Sequence, residues 1–485
     1  MHLDASGIMP GRGETGRREG GSSIHTDRLV ARLEGKLDAA AILRGDAVSE
    51  GYAGDASFRG TRPLLVLRPR DTADVSTILS AANDLGQPLV VQGGRTGLCG
   101  GAAPQAGEVS LSLERLSGIE SFDPKSQTLI AGAGTPLQTV QQAASDAGLF
   151  FGVDIGSRGS ATVGGNIATN AGGIRVLRYG MFRAQVMGLE AVLADGTVLT
   201  SLKGLPKDNS GYDLGPLFIG TEGTLGVVTR ACLKLHAKPR IERVAFLALP
   251  SLAAAQDLLE RLRVELFGIL SAFEVIFPGV YEGSVAYSGL RPPVATGAGM
   301  YAMVEIQGQA PDEDNERFEA ALGRALEDGL ADDVVLSNSL REFNALWAIR
   351  DGLNDYLFSL GDMPGFDISV PLSRMQEFIS GAEADLAALD PAARTFIFGH
   401  MGDGNLHYMV QTKMKDAAYE AVYSRIAAVG GGVSAEHGIG VEKVDWLQYA
   451  RSPAEIGAMR RLKAAFDPKG ILNPGRVFAP SVRSA

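Results

Sequence analysis

The residues best suited to chemistry lie late in the chain. Phe396-Ile397-Phe398-Gly399-His400-Met401-Gly402-Asp403-Gly404-Asn405-Leu406-His407-Tyr408-Met409-Val410 carries two imidazoles, and Ser434-Ala435-Glu436-His437-Gly438-Ile439-Gly440 adds a carboxylate and a third imidazole. The first run reads as strand, glycine turn, strand, which predicts His400 and His407 across the mouth of a hairpin, close enough to share one ion. Two imidazoles and one carboxylate suit Zn²⁺ or Mn²⁺ with one coordination position open. The competing reading makes the histidines turn caps and Glu436 a helix start. The second glycine loop, with Glu436-His437 inside it, favours the metal.

Arg350 is the next candidate. On a helix predicted over 340–357 it shares a face with Leu346, Trp347, Leu353 and Asn354 by three- and four-residue spacing. An arginine on an otherwise apolar face needs an anion. A structural Asp or Glu and the carboxylate of a substrate both meet that need.

A second kind of chemistry is written in glycine. The chain has 62 glycines in 485 residues, of which 26 fall within 93–226 and 8 within 399–440. Directly after a short strand at 88–92 comes Gly93-Gly94-Arg95-Thr96-Gly97-Leu98-Cys99-Gly100-Gly101, whose consecutive backbone N–H groups suit a pyrophosphate. Asp154-Ile155-Gly156-Ser157-Arg158-Gly159-Ser160 follows, then Thr162-Val163-Gly164-Gly165-Asn166-Ile167-Ala168-Thr169-Asn170-Ala171-Gly172-Gly173. Lys207-Asp208-Asn209-Ser210-Gly211-Tyr212-Asp213 and Gly220-Thr221-Glu222-Gly223-Thr224-Leu225-Gly226 complete the series. Such a series would line a long groove for an extended phosphorylated ligand. Gly11, Gly13 and Gly16 also spell G-x-G-x-x-G, but in a polar tail without the strand and helix that a dinucleotide fingerprint requires. A nicotinamide-type enzyme is therefore not expected.

The elements that must position these residues alternate. Helices are predicted over 26–44, 72–83 and 136–147, a hairpin over 187–200 about Asp195-Gly196, and a strand over 225–235. Beyond Lys238-Pro239, strands near 244–249, 301–306, 366–370 and 395–399 alternate with helices over 252–263, 314–328, 340–357 and 375–389. The fold class expected is α+β. Residues 1–25, with Arg12, Arg17 and Arg18 beside Glu14 and Glu19 and no apolar run, read as a disordered tail rather than a signal peptide. The expected domains are 26–239, 240–440 and a helical segment 441–485 that packs back on the first.

With Lys+Arg 45 against Asp+Glu 56 and no basic tract, nucleic acid is not the expected partner. No apolar run reaches the roughly 18 residues of a membrane span. The two cysteines, Cys99 and Cys232, make neither a disulfide framework nor a metal site, so a reducing, cytoplasmic setting is expected.

The glycine series resembles the FAD-binding domain of the vanillyl-alcohol oxidase/p-cresol methylhydroxylase flavoproteins. From about residue 50 to 478 the chain is similar to the FAD-linked D-2-hydroxyacid dehydrogenases, most closely the D-2-hydroxyglutarate dehydrogenases. The resemblance implies a p-cresol-methylhydroxylase-type FAD domain of two α/β subdomains. It also implies an α+β substrate-binding cap domain with an antiparallel sheet, and a helical C-terminal segment. Gly94, Thr96, Gly97, Gly100 and Gly101 would then hold the pyrophosphate, with Gly93 and Arg95 also among the cofactor-binding residues. Ser157, Ser160, Thr162, Gly165, Asn166, Ala168, Val227 and Val228, with Glu222 nearby, would contact the flavin and its chain, and Asn473 would close over the isoalloxazine. His400, His407 and Glu436 match the metal ligands, His437 the catalytic base, and Arg350 the arginine that binds a substrate carboxylate, while Asn405 joins the catalytic set. FAD is expected to be non-covalent, with Cys99 a packing residue. The implied partners are a small anionic 2-hydroxy acid, an acceptor such as electron-transfer flavoprotein or quinone, and a second copy in a homodimer.

The match departs around the substrate. Relatives carry Thr four residues after the arginine, Lys two residues before the next strand's Asp, and Asn two residues past the second metal histidine. Here those positions are Asn354, Gly365 and Met409. These changes keep a D-lactate- or glycolate-type substrate open beside D-2-hydroxyglutarate. A metal-dependent hydrolase would use the same His/Glu set but would leave the glycine series unexplained. An electron-transferring subunit of a larger oxidase is the third reading.

Overall fold

The computed structural model describes residues 19–479, with side chains from residue 25 onward. The Gly11–Gly16 motif, and most of the tail expected over 1–25, lie outside the described residues. Within them the chain forms two units, one of residues 19–172, 181–237 and 436–479, the other of 173–180 and 238–435.

The first unit contains a four-stranded and a five-stranded sheet. In the smaller, Leu65–Leu67 and Leu89–Gln92 both run parallel to Val109–Ser112, with Ile42–Arg44 antiparallel at the edge. Leu65, Val66, Leu67, Val109 and Leu111 are fully buried, the continuous apolar texture of parallel strands covered on both faces. The larger sheet is antiparallel, in the order Ile119–Asp123, Thr128–Gly132, Val227–Lys234, Val186–Val192, Val198–Ser201. Its last two strands form the hairpin predicted about Asp195-Gly196. The first helix, Glu19–Leu33, begins earlier and stops earlier than the predicted 26–44. It gives way to a 3₁₀ turn whose cap, Asp38, accepts from the Ala40 amide, and that turn feeds the edge strand.

The second unit is built on a seven-stranded sheet. Its order is Asp333–Leu336, Ile241–Leu249, Met300–Gly308, Leu270–Ile276, Arg394–Gly399, Asn405–Gln411, Gly365–Ser369, every neighbour antiparallel. Met300–Gly308 and Leu270–Ile276 are buried along their whole length, as befits central strands. A core of Phe246, Tyr281, Tyr301, Trp347, Leu353, Phe396 and Phe398 joins this sheet to its helices. The helix predicted over 340–357 is two, Leu340–Asp351 and Leu353–Ser359, joined through Gly352.

Residues 173–180 fall by sequence inside the glycine series, yet they pack in the second unit. The cause is charge. Glu305 is fully buried on a central strand and needs a cation, which Arg175 supplies through Nε at 2.8 Å and Nη2 at 3.1 Å. Ser271 Oγ donates to the same carboxylate, and Tyr179 donates to Gln307 Oε1 at 2.8 Å. No helix among the described residues is long and apolar enough to cross a membrane.

Candidate functional site

In the first unit the strand Leu89–Gln92 delivers Gly93 and Gly94 against the segment 160–165. A side chain at Gly94 would collide with the carbonyl oxygen of Ser160, and one at Gly93 would meet Thr162 Oγ1 at 2.7 Å. Thr162 precedes the short helix Val163–Thr169, which carries Gly165, Asn166 and Ala168, and Ser157 and Ser160 lie in the turn leading to it. Thr162 Oγ1 and Asn166 Nδ2 are buried with no hydrogen-bond partner among the described residues. Buried polar atoms left in this state call for a polar ligand. The close backbone approach and these orphaned atoms fit a flavin nucleotide.

The other expected cofactor residues divide by role. Arg95 takes a positive φ of 55° and lies over the Tyr52 ring at 4.7 Å. Thr96 and Gly97 continue that loop, with Gly97 close to the Asp55 carboxylate, and Gly101 faces the carboxylate of Glu222. The side chains of Val227 and Val228 are buried in the apolar cores of this unit. Asn473, expected over the flavin ring, commits its side chain elsewhere: Oδ1 accepts from Val91 N at 2.7 Å and Nδ2 donates to the Glu222 carbonyl. That clasp needs both ends of an amide, and it ties the strand Leu89–Gln92 to the loop that carries Glu222. The lysine-bearing segment 207–213, grouped by sequence with the cradle, is exposed throughout.

In the second unit the predicted hairpin forms from Arg394–Gly399 and Asn405–Gln411, joined by a 3₁₀ turn, with Phe398 paired to His407. The rings of His400 and His407 meet edge-on with centroids 5.4 Å apart, and each offers a ring nitrogen within 4.8 Å of the other's. His407 Nδ1 lies 3.8 Å from Asp367 Oδ1 on the neighbouring strand. Asn405 Nδ2 donates to Asp367 Oδ1 at 2.9 Å and to the Ile368 carbonyl at 3.2 Å. The Nδ2 end of the side chain expected to be catalytic thus braces Asp367, while its Oδ1 is buried without a hydrogen-bond partner among the described residues. The amide of Ala435 donates to the Asp367 carbonyl at 3.1 Å, so the chain leaves this unit beside the same strand, and Glu436 is the next residue.

Sequence reading missed Glu274. It lies on the central strand Leu270–Ile276 with 1 % exposure, its Oε1 2.5 Å from His400 Nδ1 and its Oε2 accepting from Arg350 Nε at 2.9 Å. Burial alone would raise its pKa. The charges of His400 and Arg350, with their hydrogen bonds, outweigh that and hold it at about 2. With Nδ1 turned to Glu274, His400 presents Nε2, and Arg350 Nη2 lies 3.5 Å from it. Arg350 is itself buried, its guanidinium 5.3 Å from the Phe398 ring centre. The signal was available, because a lone carboxylate in the run Leu-Ser-Ala-Phe-Glu-Val-Ile cannot stay ionised in a core without a partner.

On the edge strand, Gly365 pairs with Met409, and a side chain at Gly365 would meet the Met409 thioether at 3.0 Å. Two of the three departures noted in the sequence are thus one feature. The methionine occupies the space beside a position that has no side chain.

Residues 63–201 match the family described as FAD binding domain, and residues 238–477 match FAD linked oxidases, C-terminal domain. The chain is 40% identical over 428 residues to "D-2-hydroxyglutarate dehydrogenase, mitochondrial" of Bos taurus, covering 87% of this chain and 78% of that one. It is 38% identical over 465 residues to the D-2-hydroxyglutarate dehydrogenase of Xanthomonas citri pv. viticola, covering 93% and 97%. Among solved structures, p-cresol methylhydroxylase with substrate bound superposes with a TM-score of 0.74 at 16% identity, over 94% of this chain and 97% of that one.

Proposed function

The chain belongs to the FAD-linked D-2-hydroxyacid dehydrogenase family that includes the D-2-hydroxyglutarate dehydrogenases, and on that premise we propose that it oxidises a D-2-hydroxy acid to its 2-oxo acid. It is a flavin-dependent oxidoreductase acting on a CH–OH group. When bound, FAD supplies the acceptor for the hydride that leaves Cα. The residues that would hold it are those of the glycine cradle, with Thr162 and Asn166 as its polar contacts.

A divalent cation, Zn²⁺ or Mn²⁺, would be held by His400, His407 and Glu436 and would make the substrate hydroxyl more acidic. The support for this is the donor set: two adjacent imidazoles, one of them oriented by a carboxylate through Nδ1. His437 takes the hydroxyl proton as the Cα–H bond breaks, so proton and hydride leave separately and the C–O bond becomes a carbonyl. Arg350 holds the substrate carboxylate by its Nη groups, with Nε fixed on Glu274. A protein or quinone acceptor would take up the two electrons removed from the substrate.

The observation that carries this reading is the Arg350–Glu274–His400 chain, in which one buried carboxylate holds a guanidinium and an imidazole side by side, Arg350 Nη2 lying 3.5 Å from His400 Nε2. The test is anaerobic bleaching of the flavin absorbance by a panel of D- and L-2-hydroxy acids. D-acids are expected to bleach and L-acids not. A protein that stays colourless after reconstitution with FAD would overturn the reading.

Within the panel, D-2-hydroxyglutarate is the first candidate, since the relatives bear that name. Met409 seated against Gly365 favours a second reading, a shorter or more apolar acid such as D-lactate.

A further inference from the structure

Glu222 is an anomaly three times over. It is a non-glycine residue at φ 52°, a backbone conformation that L-residues adopt at a cost. Its carboxylate is buried, which raises its pKa, against the hydrogen bonds of two amides. It also sits inside Gly220-Thr221-Glu222-Gly223-Thr224, where a smaller residue would meet the turn's needs without burying a charge. Strain and burial of this kind persist only where the surroundings over-determine them.

What surrounds Glu222 is the loop that follows His437. The amide of Ile439 donates to Oε1 at 2.7 Å and that of Gly440 to Oε2 at 2.8 Å, so each carboxylate oxygen holds one backbone group. The same loop is fixed from its other side. Val441 N donates to the Cys99 carbonyl at 3.0 Å, and Val477 N donates to the Gly440 carbonyl at 3.2 Å. Gly440 has φ 56°, and a side chain there would collide with the Cys99 carbonyl oxygen. The backbone of Glu222 is anchored in turn, its N donating to the Ala168 carbonyl at 2.8 Å and its own carbonyl accepting from Asn473 Nδ2.

We propose that Glu222 is a positioning residue for the reaction: its carboxylate ties residues 438–440 to the flavin cradle and so sets where the imidazole of His437 stands. The proposal rests on the reading of His437 as the base. Cradle segments 97–101 and 220–224 then act as one frame for cofactor and proton acceptor, so the two cannot drift apart. An uncharged neutral isostere would not serve. The amide of E222Q accepts from one N–H and turns its own NH₂ against the other.

The test compares wild-type holoenzyme with E222Q, His437→Ala and the double variant. E222Q is expected to keep one FAD per chain, to raise hydrogen exchange at Ile439 and Gly440, and to slow anaerobic flavin reduction on the order of 10- to 100-fold. In the His437→Ala background E222Q is expected to cost no more than about twofold, because the group it positions is already gone. Unchanged exchange at Ile439 and Gly440, or an equal loss in both backgrounds, would overturn the proposal. Should E222Q fail to fold or to hold FAD, E222D, which keeps the charge on a shorter arm, must still show raised exchange confined to 438–441. If His437→Ala alone reduces its flavin at the wild-type rate, the base reading fails, and the exchange measurement then decides the positioning by itself.

Discussion

Glu274 and His400 are 126 residues apart in sequence, and Glu274 Oε1 lies 2.5 Å from His400 Nδ1. That contact fixes the angle of the imidazole ring, and the other carboxylate oxygen fixes Arg350 at 2.9 Å. One buried anion therefore orients the residue that would bind the metal and the residue that would bind the substrate.

Replacing this anion should damage both. Glu274→Gln is expected to lower metal content by about 10- to 100-fold in affinity, as loss of a carboxylate behind a metal-binding histidine does. It should also cost roughly 3–5 kcal/mol of stability, because Arg350 is left buried without its counter-charge. Metal per chain by elemental analysis and the urea midpoint read the two effects separately.

Arg350→Ala should lower kcat/KM for the best substrate by the equivalent of about 1.5–3 kcal/mol, the range for a lost charge-assisted hydrogen bond. Arg350→Lys should rescue little, since a point charge cannot hold Glu274 through Nε and a carboxylate through a planar fork at once. Steady-state kinetics on both variants check this, and an undiminished kcat/KM in Arg350→Ala would remove it from the substrate site.

Chelation separates the two proposed cofactors. Prolonged dialysis against a strong chelator should abolish flavin reduction by the substrate while the flavin absorbance persists, and Zn²⁺ or Mn²⁺ should restore turnover. None of the glycine-cradle residues is a member of the His400, His407, Glu436 set, so FAD retention should not depend on the ion.

Met409→Ala should shift specificity toward longer acids. Removing the thioether opens the space beside Gly365, so the ratio of kcat/KM for D-2-hydroxyglutarate over D-lactate should rise. A ratio that stays constant would place the distal end of the substrate elsewhere.

The pH dependence of stability should carry the mark of Glu222. Its folded pKa is raised by burial above the ordinary 4.5. Its favourable contribution is thus complete below about pH 4.5 and is lost as pH rises through the folded value. The stability of E222Q relative to wild type, from urea melts across pH 4 to 8, should therefore improve as pH increases.

The sequence by itself determined the kinds of chemistry available and the secondary structure that carries them. The glycine runs at 93–101 and 156–173 can be read locally, because close backbone approach permits little but glycine. The His400–His407 hairpin is equally local, since two strand-like runs joined by a short glycine turn pair with each other. The antiparallel order of the seven-stranded sheet, and the partners of its buried charges, were decided only by tertiary structure. Glu274 meets Arg350 across 76 residues, Glu222 meets Ile439 across 217, and Asn473 reaches Val91 across 382. No local pattern encodes such pairs. A buried charge demands a partner wherever the chain can supply one, and which segment supplies it depends on how strands far apart in sequence come to lie side by side.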